Sequence, residues 1–473
     1  MNSKHQIFTP AAIVNEMLDK INYSANLYGK KVLEGSCGNG SILVPLVERY
    51  IEVSISENYS LEEIKKGLEN DIYGVEIDTY YYNDCLNKLN ELSEKYHLKD
   101  VKWNLYNIDS LNFLWNFKFN FIIGNPPYIK YHDMTPELRI FLKSKYEACK
   151  RGNFDYYYAF IEESLNLLDK DGKMIYLIPT NMFKNEYAST LRNLIIGNLT
   201  AIYDYAHQKI FKNILTSSAL IVIDNSSTSK NIKYHNLEDD RLLFINRYTL
   251  NGKWSFSPKA IKIKADKKFG DFFNASMPVA TLLNDAFVLE DFIILDNYYK
   301  IDNYRVEKSI VRNAASPRGL YLKKKEKIIF PYYYRDGKLS RYDVSEFQKY
   351  FPETTKYLMT FEQRLRKRTS YNNHWFEYGR TQALQHLDQT KLLLSTVVTR
   401  KVNVYELDKD TVPYSGIYII PKTKLNLDVA KHILETKEFI EYVNEIGVNT
   451  NSVSFRITAK DINNFPVCNN LNF

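Results

Sequence analysis

Cysteine is scarce in this chain, which has four of them among 473 residues. Cys37, Cys85, Cys149 and Cys468 are scattered, form no CxxC pair and lie near no group of histidines. A structural zinc site needs clustered ligands, so we expect no metal. So few cysteines, so widely spaced, are typical of proteins from a reducing compartment, and we therefore expect a cytoplasmic protein.

Long apolar runs are also missing. No stretch approaches the roughly 20 consecutive apolar residues that a membrane-spanning helix needs. The N-terminal sequence MNSKHQIFTP is polar where a signal peptide would have its apolar core, so we expect neither secretion nor a membrane partner. With 45% hydrophobic and 25% charged residues the composition is that of an ordinary soluble protein, and the length predicts two or three domains.

An excess of acidic residues is absent too, because the formal net charge is +7. This mild positive charge permits a polyanionic partner but does not require one. The chain has 38 tyrosines and 26 phenylalanines, and such rings either stack on unpaired bases or fill the core. Composition alone therefore leaves the function open, and the motifs have to decide it.

The first half of the chain alternates between apolar strands and amphipathic helices. Residues 30–36, 119–124 and 217–225 have the pattern of buried strands. Residues 155–172 have helical spacing, and Gly172 is expected to end that helix. Apolar strands separated by helices predict a parallel sheet with helices on both faces.

The rhythm changes in the second half. A polar stretch over residues 225–231 suits an exposed connection, and beyond about residue 240 basic and aromatic residues interleave without clear alternation. We therefore predict an α/β domain over residues 1–245 and a mixed α and β domain over residues 246–473.

The tetrapeptide Asn125-Pro126-Pro127-Tyr128 directly follows a predicted strand, and ligands bind at strand ends in open α/β sheets. An exocyclic amine on an aromatic ring is a poor nucleophile, because its lone pair is delocalised into the ring. The Asn125 side-chain oxygen and the rigidly held Pro126 carbonyl could accept both amine hydrogens and turn the lone pair toward a methyl donor. Tyr128 offers a ring on which a base could stack. The alternative is an ordinary turn, since Asn-Pro and Pro-Pro are common in turns.

A glycine-rich segment, LEGSCGNG over residues 33–40, follows the first predicted strand. Gly35 and Gly38 would let the backbone pass close to a ligand at a strand-to-helix turn. The spacing differs from the GxGxxG pattern, which disfavours a dinucleotide. A methyl donor and a simple tight turn are both compatible with it.

Acidic residues end the next two strands. Glu76, in GVEID, could accept hydrogen bonds from both hydroxyls of a ribose, and Ile77 could pack on an adenine face. Asp78 is expected to cap the following helix. Asp109, followed by Ser110, could accept a hydrogen bond from an adenine amine. Each residue is weak evidence by itself, but suitable residues at four successive strand ends indicate a cofactor site.

In this order, FTP at residues 8–10, LEGSCGNG, GVEID, IDS and NPPY resemble the motifs of gamma-class DNA adenine-N6 methyltransferases, TaqI-like enzymes included. The resemblance covers roughly residues 5–225. It implies a Rossmann-like, seven-stranded class I methyltransferase domain followed by a mixed α+β target-recognition domain. It also implies a site-specific enzyme of a restriction-modification or orphan modification system. Such an enzyme transfers a methyl group directly from S-adenosylmethionine to the N6 amine of an adenine flipped out of double-stranded DNA.

Matching positions carry the family's site residues onto this chain. Those implied to surround S-adenosylmethionine are Thr9, Glu34, Gly35, Cys37, Gly38, Glu76, Ile77, Asp109 and Ser110. Those implied to hold the adenine are Asn125, Pro126, Pro127, Tyr128 and, on its second face, Phe211. Phe160 matches an aromatic residue beside the site. A phenylalanine before a buried strand, such as Phe211, is also an ordinary core residue.

The second half resembles the family only in fragments, such as HWFEYGR at residues 374–380 and SFRI at residues 454–457. Recognition domains diverge because each reads a different sequence. We expect phosphate contacts from a basic cluster, with an ordinary solvated face as the alternative. The cluster consists of Arg364, Arg366, Lys367 and Arg368. A cognate restriction endonuclease acting separately is a candidate protein partner.

Other functions fit the motifs less well. A cytosine-C5 methyltransferase needs a nucleophilic cysteine, and none of the four cysteines follows a proline as that nucleophile would. Protein-glutamine and RNA guanine-N2 methyltransferases use a similar tetrapeptide and remain the alternative, but the FTP element and the long second half favour DNA. The intact NPPY disfavours a DNA-binding subunit without activity. Because the motifs start within the first ten residues, we expect no fused N-terminal nuclease.

Overall fold

The computed structural model divides into two compact units, Met1–Ala260 and Ile261–Phe473. The segment after residue 245, predicted in the second domain, belongs to the first unit up to residue 260. Trp254 explains this, because it is buried and its ring stacks on Phe183 with the centroids 6.1 Å apart. The residues that the structure describes are 8–206, 208, 210, 217–256, 267–368, 374–451 and 454–467.

Within the described residues, the first unit contains one mixed sheet of nine strands. Its strands are β1 (Val32–Glu34), β2 (Ile72–Val75), β3 (Asn104–Tyr106), β4 (Phe119–Gly124), β5 (Leu168–Pro179), β6 (Leu199–Asp204), β7 (Ser218–Asp224), β8 (Asn231–Asn236) and β9 (Arg241–Asn246). Their spatial order is β3-β2-β1-β4-β5-β7-β6-β8-β9. Strands β1 to β5 run parallel, whereas β7 is antiparallel to both of its neighbours.

The first seven strands have the arrangement that the resemblance implies, so the predicted Rossmann-like methyltransferase fold is confirmed. Two further strands extend the sheet: β8 runs parallel to β6, and β9 runs antiparallel to β8. The polar residues 225–231 connect to β8, as expected of a linker, but the sheet continues after them. The carboxyl ends of β1 to β4 lie along one edge, where the predicted motifs follow the strands.

Helices cover both faces of this sheet. They are α1 (Ala11–Lys20), α2 (Leu43–Ser56), α3 (Leu61–Asp71), α4 (Thr79–Lys95), α5 (Pro136–Lys145), α6 (Tyr157–Leu167) and α7 (Ser189–Ile195). Successive residues of a strand point to opposite faces, so Ile122 and Ile123 of β4 enter two different cores. The core around Ile122 contains Tyr157 of α6, and the core around Ile123 contains Leu46 of α2. Burial on both faces explains why the central strands are almost continuously apolar.

The helix predicted over residues 155–172 is shorter than expected. It ends at Leu167, and β5 begins at Leu168, which pairs with Phe119 of β4. Gly172 therefore lies in a strand, and the prediction that it ends the helix is wrong. A Cβ atom at residue 172 would lie 2.8 Å from the Phe119 carbonyl oxygen. Glycine permits this close approach at an irregularity in the β4–β5 pairing.

The second unit combines small sheets with short helices around two cores, which confirms the predicted mixture of α and β. Its strands are β10 (Lys267–Lys268), β11 (Phe273–Ser276), β12 (Val288–Leu289), β13 (Ile293–Ile294), β14 (Tyr298–Ile301), β15 (Tyr304–Glu307), β16 (Val311–Ala315), β17 (Glu326–Ile329), β18 (Tyr332–Arg335), β19 (Lys338–Arg341), β20 (Lys391–Leu394), β21 (Val397–Val398), β22 (Tyr405–Leu407), β23 (Thr411–Pro413), β24 (Ile417–Pro421), β25 (Val448–Asn451), β26 (Ser454–Arg456) and β27 (Pro466–Val467). Its helices are α8 (Phe269–Phe272), α9 (Asn284–Phe287), α10 (Pro317–Tyr321), α11 (Val344–Tyr350), α12 (Pro352–Met359), α13 (Glu362–Arg366), α14 (Leu427–Glu435), α15 (Lys437–Ile446) and α16 (Ala459–Asn463).

Two features are absent from the described ranges. No helix there combines the length and the apolar character that crossing a membrane requires. The same residues bring together no group of three or more His, Cys, Asp or Glu side chains that could bind a metal ion. Cys37, Cys85 and Cys149 are buried free thiols.

Candidate active site

A cavity of about 800 Å³ opens in the first unit where the first four strands end. This volume lies within the usual range for small-molecule sites, roughly 300–1,000 Å³. One predicted residue, Phe211, lies outside the described residues. The other predicted cofactor and target-base residues all line this cavity: Thr9, Glu34, Gly35, Cys37, Gly38, Glu76, Ile77, Asp109, Ser110, Asn125, Pro126, Pro127, Tyr128 and Phe160.

The glycine-rich segment forms the turn between β1 and α2. Gly38 and Gly40 have positive φ angles of 53° and 80°, a backbone conformation that other residues rarely adopt. The Cys37 amide donates to the Val75 carbonyl at 2.9 Å, which fastens the turn to the end of β2. A Cβ atom on Gly38 would lie 3.2 Å from the Phe8 ring. The backbone can therefore pass close to the cavity at this point.

Glu76 connects the ends of β1 and β2. Its side chain is 5% exposed, and its two carboxylate oxygens accept hydrogen bonds from the amides of Gly38 and Asp78, both at 2.8 Å. Burial raises the pKa of Glu76, while these two hydrogen bonds oppose the rise. Asp78 caps α4 by accepting from the Tyr80 amide at 2.9 Å, which confirms the predicted cap.

Glu34 ends β1 and lies deeper in the cavity wall. It is 1% exposed, and its Oε2 atom has no hydrogen-bond partner among the described residues. Burial raises the pKa of Glu34 well above its ordinary value, and the neighbouring Cys85 and Glu76 add to the rise. A buried carboxylate oxygen without a partner is costly, so this part of the wall suits a ligand that brings a hydrogen-bond donor or a positive charge.

Asp109 follows β3 and shapes the next part of the wall. Its carboxylate accepts from the Leu111 amide at 3.0 Å and from the Asn112 side chain at 2.8 Å. These bonds hold a short helical turn that starts at Ser110. Ser110 in turn lies beside Gly35, because a Cβ atom at residue 35 would be 3.1 Å from the Ser110 hydroxyl. The ends of β1 and β3 thus approach each other around the cavity.

Asn125 begins the loop after β4 and is fixed by the N-terminal segment. Its side-chain nitrogen donates to the Thr9 hydroxyl at 3.2 Å, and Thr9 is 4% exposed. This bond orients the amide, with its nitrogen toward Thr9. The Ser36 hydroxyl donates to the Asn125 carbonyl over a longer 3.5 Å. Three separate segments therefore meet at one asparagine.

Tyr128 ends the tetrapeptide in a rigid position. Its hydroxyl donates to the Leu177 carbonyl of β5 at 2.9 Å, and its ring packs edge-on against Tyr157 with the centroids 6.1 Å apart. Burial raises the pKa of Tyr128, which keeps the hydroxyl protonated. The residue presents a neutral ring to the cavity and cannot act as a base at ordinary pH.

The structure also places residues in the cavity wall that the sequence did not single out. They include Tyr156 and a stretch just beyond the tetrapeptide: Asp133, Met134, Thr135 and Leu138. Thr135 caps α5 by accepting from the Leu138 amide, and Pro136 is the first helical residue. The sequence Thr-Pro-Glu is a helix-start signal. That signal, so close to the tetrapeptide, could have revealed this wall.

The predicted phosphate-binding cluster lies at and just after α13 in the second unit. Arg364 pairs with Asp285, and Arg366 pairs with Glu362, both at 2.8 Å. Arg368 instead donates to carbonyl oxygens of its own unit, and burial lowers its pKa. The acceptors are the carbonyls of Leu365, Thr281, Trp375 and Glu377. The guanidinium of Arg368 is therefore committed to holding backbone segments together.

Comparison with known proteins identifies a family model that matches the part of the chain around this cavity. Residues 25–211 match the model of the Eco57I restriction-modification methylase family. The matched range contains the cavity residues from Glu34 to Phe160 and the first six strands of the sheet. The predicted resemblance to restriction-modification methyltransferases is thus confirmed.

Two relatives of this part of the chain are larger proteins. Type II methyltransferase M.BstVI of Geobacillus stearothermophilus is 29% identical over 241 residues, which are 48% of this chain and 43% of that protein. The restriction enzyme and methyltransferase RM.Eco57I of Escherichia coli is 23% identical over 382 residues, 70% of this chain and 38% of that protein. The chain therefore spans about two fifths of the length of these relatives.

Solved structures resemble both units of the chain. The restriction-modification enzyme MmeI, in complex with DNA, has a TM-score of 0.63 at 14% identity over 96% of this chain and 64% of its own. A DrdV–DNA complex has a TM-score of 0.55 at 13% identity over 94% of this chain and 52% of its own. At such low identity the likeness concerns the fold alone.

Proposed function

We propose that this chain is a site-specific DNA methyltransferase that methylates the N6 amine of adenine. The observation that carries the proposal is the position of Asn125, whose oriented amide shares one cavity with Glu34 and Glu76. The residue proposed to accept hydrogen bonds from the target amine thus lies beside the residues proposed to bind a nucleotide-like cofactor. Transfer is direct, with alignment and polarisation supplying the rate.

The cofactor is S-adenosylmethionine, which supplies the methyl group. Glu76 has spare lone pairs beyond its two amide bonds, since each carboxylate oxygen accepts twice, and these would accept the ribose hydroxyls. Ile77 is 47% exposed on the cavity wall and offers an apolar face for adenine. Glu34 would give its unpartnered oxygen to the cationic amino-acid end. Thr9, Cys37, Asp109 and Ser110 complete the wall.

The target adenine would lie over the tetrapeptide. The Asn125 side-chain oxygen and the Pro126 carbonyl accept the two amine hydrogens, which turns the nitrogen lone pair toward the methyl donor. Tyr128 supports one face of the base, and Phe211 is proposed for the other face. Adenine reaches this cavity by leaving the DNA stack, as bases do in enzymes that modify them.

Recognition of the DNA sequence is assigned to the second unit, and catalysis to the first. Among the basic cluster, Arg364, Arg366 and Lys367 remain the proposed phosphate contacts. The ion pairs of Arg364 and Arg366 are on the surface and exchangeable, and Lys367 is exposed. We assign Arg368 a structural role instead, because its guanidinium donates to backbone carbonyls of the second unit. A separately acting restriction endonuclease is the proposed protein partner.

The relatives described above are named as a Type II methyltransferase and a Type II restriction enzyme and methyltransferase, which supports DNA as substrate. None of those described is a protein-glutamine or RNA guanine-N2 methyltransferase, so we do not favour that alternative. MmeI and DrdV were solved with DNA, and the shared fold supports a DNA-binding role for both units.

The test is expression of the full chain in a bacterial host that lacks DNA methylation, followed by sequencing of that host's DNA for modified bases. The expected result is N6-methyladenine at one recurring sequence, and none with the Asn125→Ala variant. N4-methylcytosine at a recurring sequence would contradict the assignment of adenine. Unmodified DNA, with a folded protein that binds S-adenosylmethionine, would contradict the DNA methyltransferase assignment itself.

A further inference from the structure

The segment that follows the tetrapeptide has a feature that the methylation chemistry does not use. Tyr131 carries two cations on its ring: the Arg139 guanidinium at 4.5 Å and the Lys143 ammonium at 5.4 Å from the centroid. We name Tyr131, Arg139 and Lys143 the cation stack. We propose that the cation stack binds the phosphates of the target DNA strand next to the extruded adenine, an inference that rests on the proposed function.

The cation stack is held rigidly. Arg139 donates to the Tyr131 carbonyl at 2.9 Å and to the His132 carbonyl at 3.1 Å, and Lys143 donates to the Tyr131 hydroxyl at 3.2 Å. The Tyr131 ring also makes an edge-to-face contact with the buried Phe154. A preorganised pair of cations loses little entropy when it binds an anion.

The two cations lack an acidic counterpart. In the part of the chain that the structure describes, the ion pairs include neither Arg139 nor Lys143, whereas the nearby Lys145 pairs with Glu163 at 3.8 Å. Like charges four residues apart on a helix repel each other. Lys143 gains from its place near the end of α5, where a positive charge is favourable, but Arg139 is nearer the helix start. A polyanion would relieve the repulsion.

The cation stack lies close to the proposed position of the target base. Only two residues lie between Tyr128 and Tyr131 in the chain, so the backbone of one is at most about 10 Å from that of the other. The Tyr156 amide donates to the Ile129 carbonyl at 2.9 Å, which holds that short link in place. The same segment lines the cavity with Met134 and Leu138. Phosphates recur every 3.4 Å or so along one strand's axis, so those within about three nucleotides of the target are in range.

Salt dependence of DNA binding tests the inference without requiring methyl transfer. Anisotropy of a labelled DNA duplex would give the dissociation constant of the full chain at several salt concentrations. Each lost phosphate contact lowers the log–log slope by about 0.9 units. Lys143→Gln should lose about one unit, and Arg139→Gln with Lys143→Gln about two. The matched control is Lys95→Gln, which removes a lysine at the far end of α4 that pairs with Glu48 and should leave the slope unchanged.

Two further variants separate a phosphate contact from a structural role. Lys143→Arg keeps the charge and should retain the slope, while calorimetry with S-adenosylmethionine should show unchanged cofactor affinity for every variant. Slopes equal to that of the wild-type protein in the double variant would overturn the inference. A smaller salt-dependence slope accompanied by weaker binding of S-adenosylmethionine would also overturn the inference, because the segment would then only support the cavity.

Neutral methylphosphonate linkages beside the methylated adenine locate the contact. They should weaken binding by the wild-type protein and leave the double variant almost unaffected. Equal weakening of both proteins would overturn the proposed position. If the host DNA carries N6-methyladenine but the slopes do not change, this inference fails alone. If the slopes change but no DNA is methylated, the proposed function fails, and with it the assignment of these phosphates to a target adenine.

Discussion

The two units use charged side chains in different ways. In the first unit Glu34 and Glu76 are buried in the wall of a cavity, and one Glu34 oxygen has no partner among the described residues. In the second unit the half-buried Arg368 donates to four carbonyl oxygens, and its exposed neighbours Arg364 and Arg366 form ion pairs. A buried ionisable group with an unpartnered atom beside a cavity indicates a binding site, whereas a cation that donates to several backbone carbonyls indicates a structural role.

The largest expected effect tests the claim that the cavity of the first unit is a functional site. Asn125→Ala should reduce methyl transfer by at least about a hundredfold, since one positioned acceptor contributes about 3 kcal/mol to the transition state. Binding of S-adenosylmethionine should stay the same, because Asn125 is proposed to face the base. Single-turnover assays and calorimetry measure the two quantities. Asn198→Ala, at the opposite end of the sheet before β6, is the matched control, and near-normal turnover by Asn125→Ala would sink the assignment.

Arg368→Ala tests the claim that Arg368 of the second unit has a structural role. Loss of its bonds to several buried carbonyls should lower the free energy of unfolding by about 3 kcal/mol. Arg366→Ala should change stability by less than about 0.5 kcal/mol, because it removes an exposed ion pair. Urea unfolding of both variants provides the comparison. Equal stability of the two would show that Arg368 is not structural.

Glu76→Ala should weaken the binding of S-adenosylmethionine by about 1.5–3 kcal/mol, the range for hydrogen bonds to a charged group. Calorimetry measures this effect. Glu91→Ala, an exposed acid on α4, should leave the affinity unchanged. If a folded Glu76→Ala protein keeps its affinity, Glu76 only connects β1 to β2.

Glu34 predicts a pH effect on stability. Because burial raises its pKa above the ordinary 4.5, the folded protein keeps a proton that the unfolded chain releases. Without cofactor, the free energy of unfolding should therefore fall as pH rises above 4.5, by up to about 1.4 kcal/mol per pH unit. Glu34→Gln should remove this component and be more stable than the wild-type protein at neutral pH. A wild-type pH profile parallel to that of the variant would contradict the buried, protonated carboxyl group.

The smallest expected effect concerns the second face of the target base. Stacking on an aromatic ring contributes roughly 1–3 kcal/mol and quenches the fluorescence of 2-aminopurine. With this probe at the target position, Phe211→Ala should brighten the bound DNA. An unchanged signal would assign Phe211 to the core instead.

The same contrast explains what the sequence could predict. Parallel strands bring their carboxyl ends to one edge, so motifs far apart in sequence, such as Glu34, Glu76 and Asn125, reach one cavity by topology alone. Strands β8 and β9 were not predicted, because NIKYHN is polar and β9 alternates only weakly between half-buried and exposed residues. For a run of basic residues, by contrast, the topology does not determine which side chains face solvent. Whether Arg368 faces solvent depends on carbonyls up to 87 residues away, such as that of Thr281.

The most direct test of the central claim is nucleoside mass spectrometry. The purified chain is incubated with unmethylated DNA and S-adenosylmethionine that carries a deuterated methyl group, and the DNA is digested to nucleosides. The account predicts deuterated N6-methyladenine with the wild-type protein and none with Asn125→Ala. Deuterium on cytosine, or an equal yield from both proteins, would contradict it.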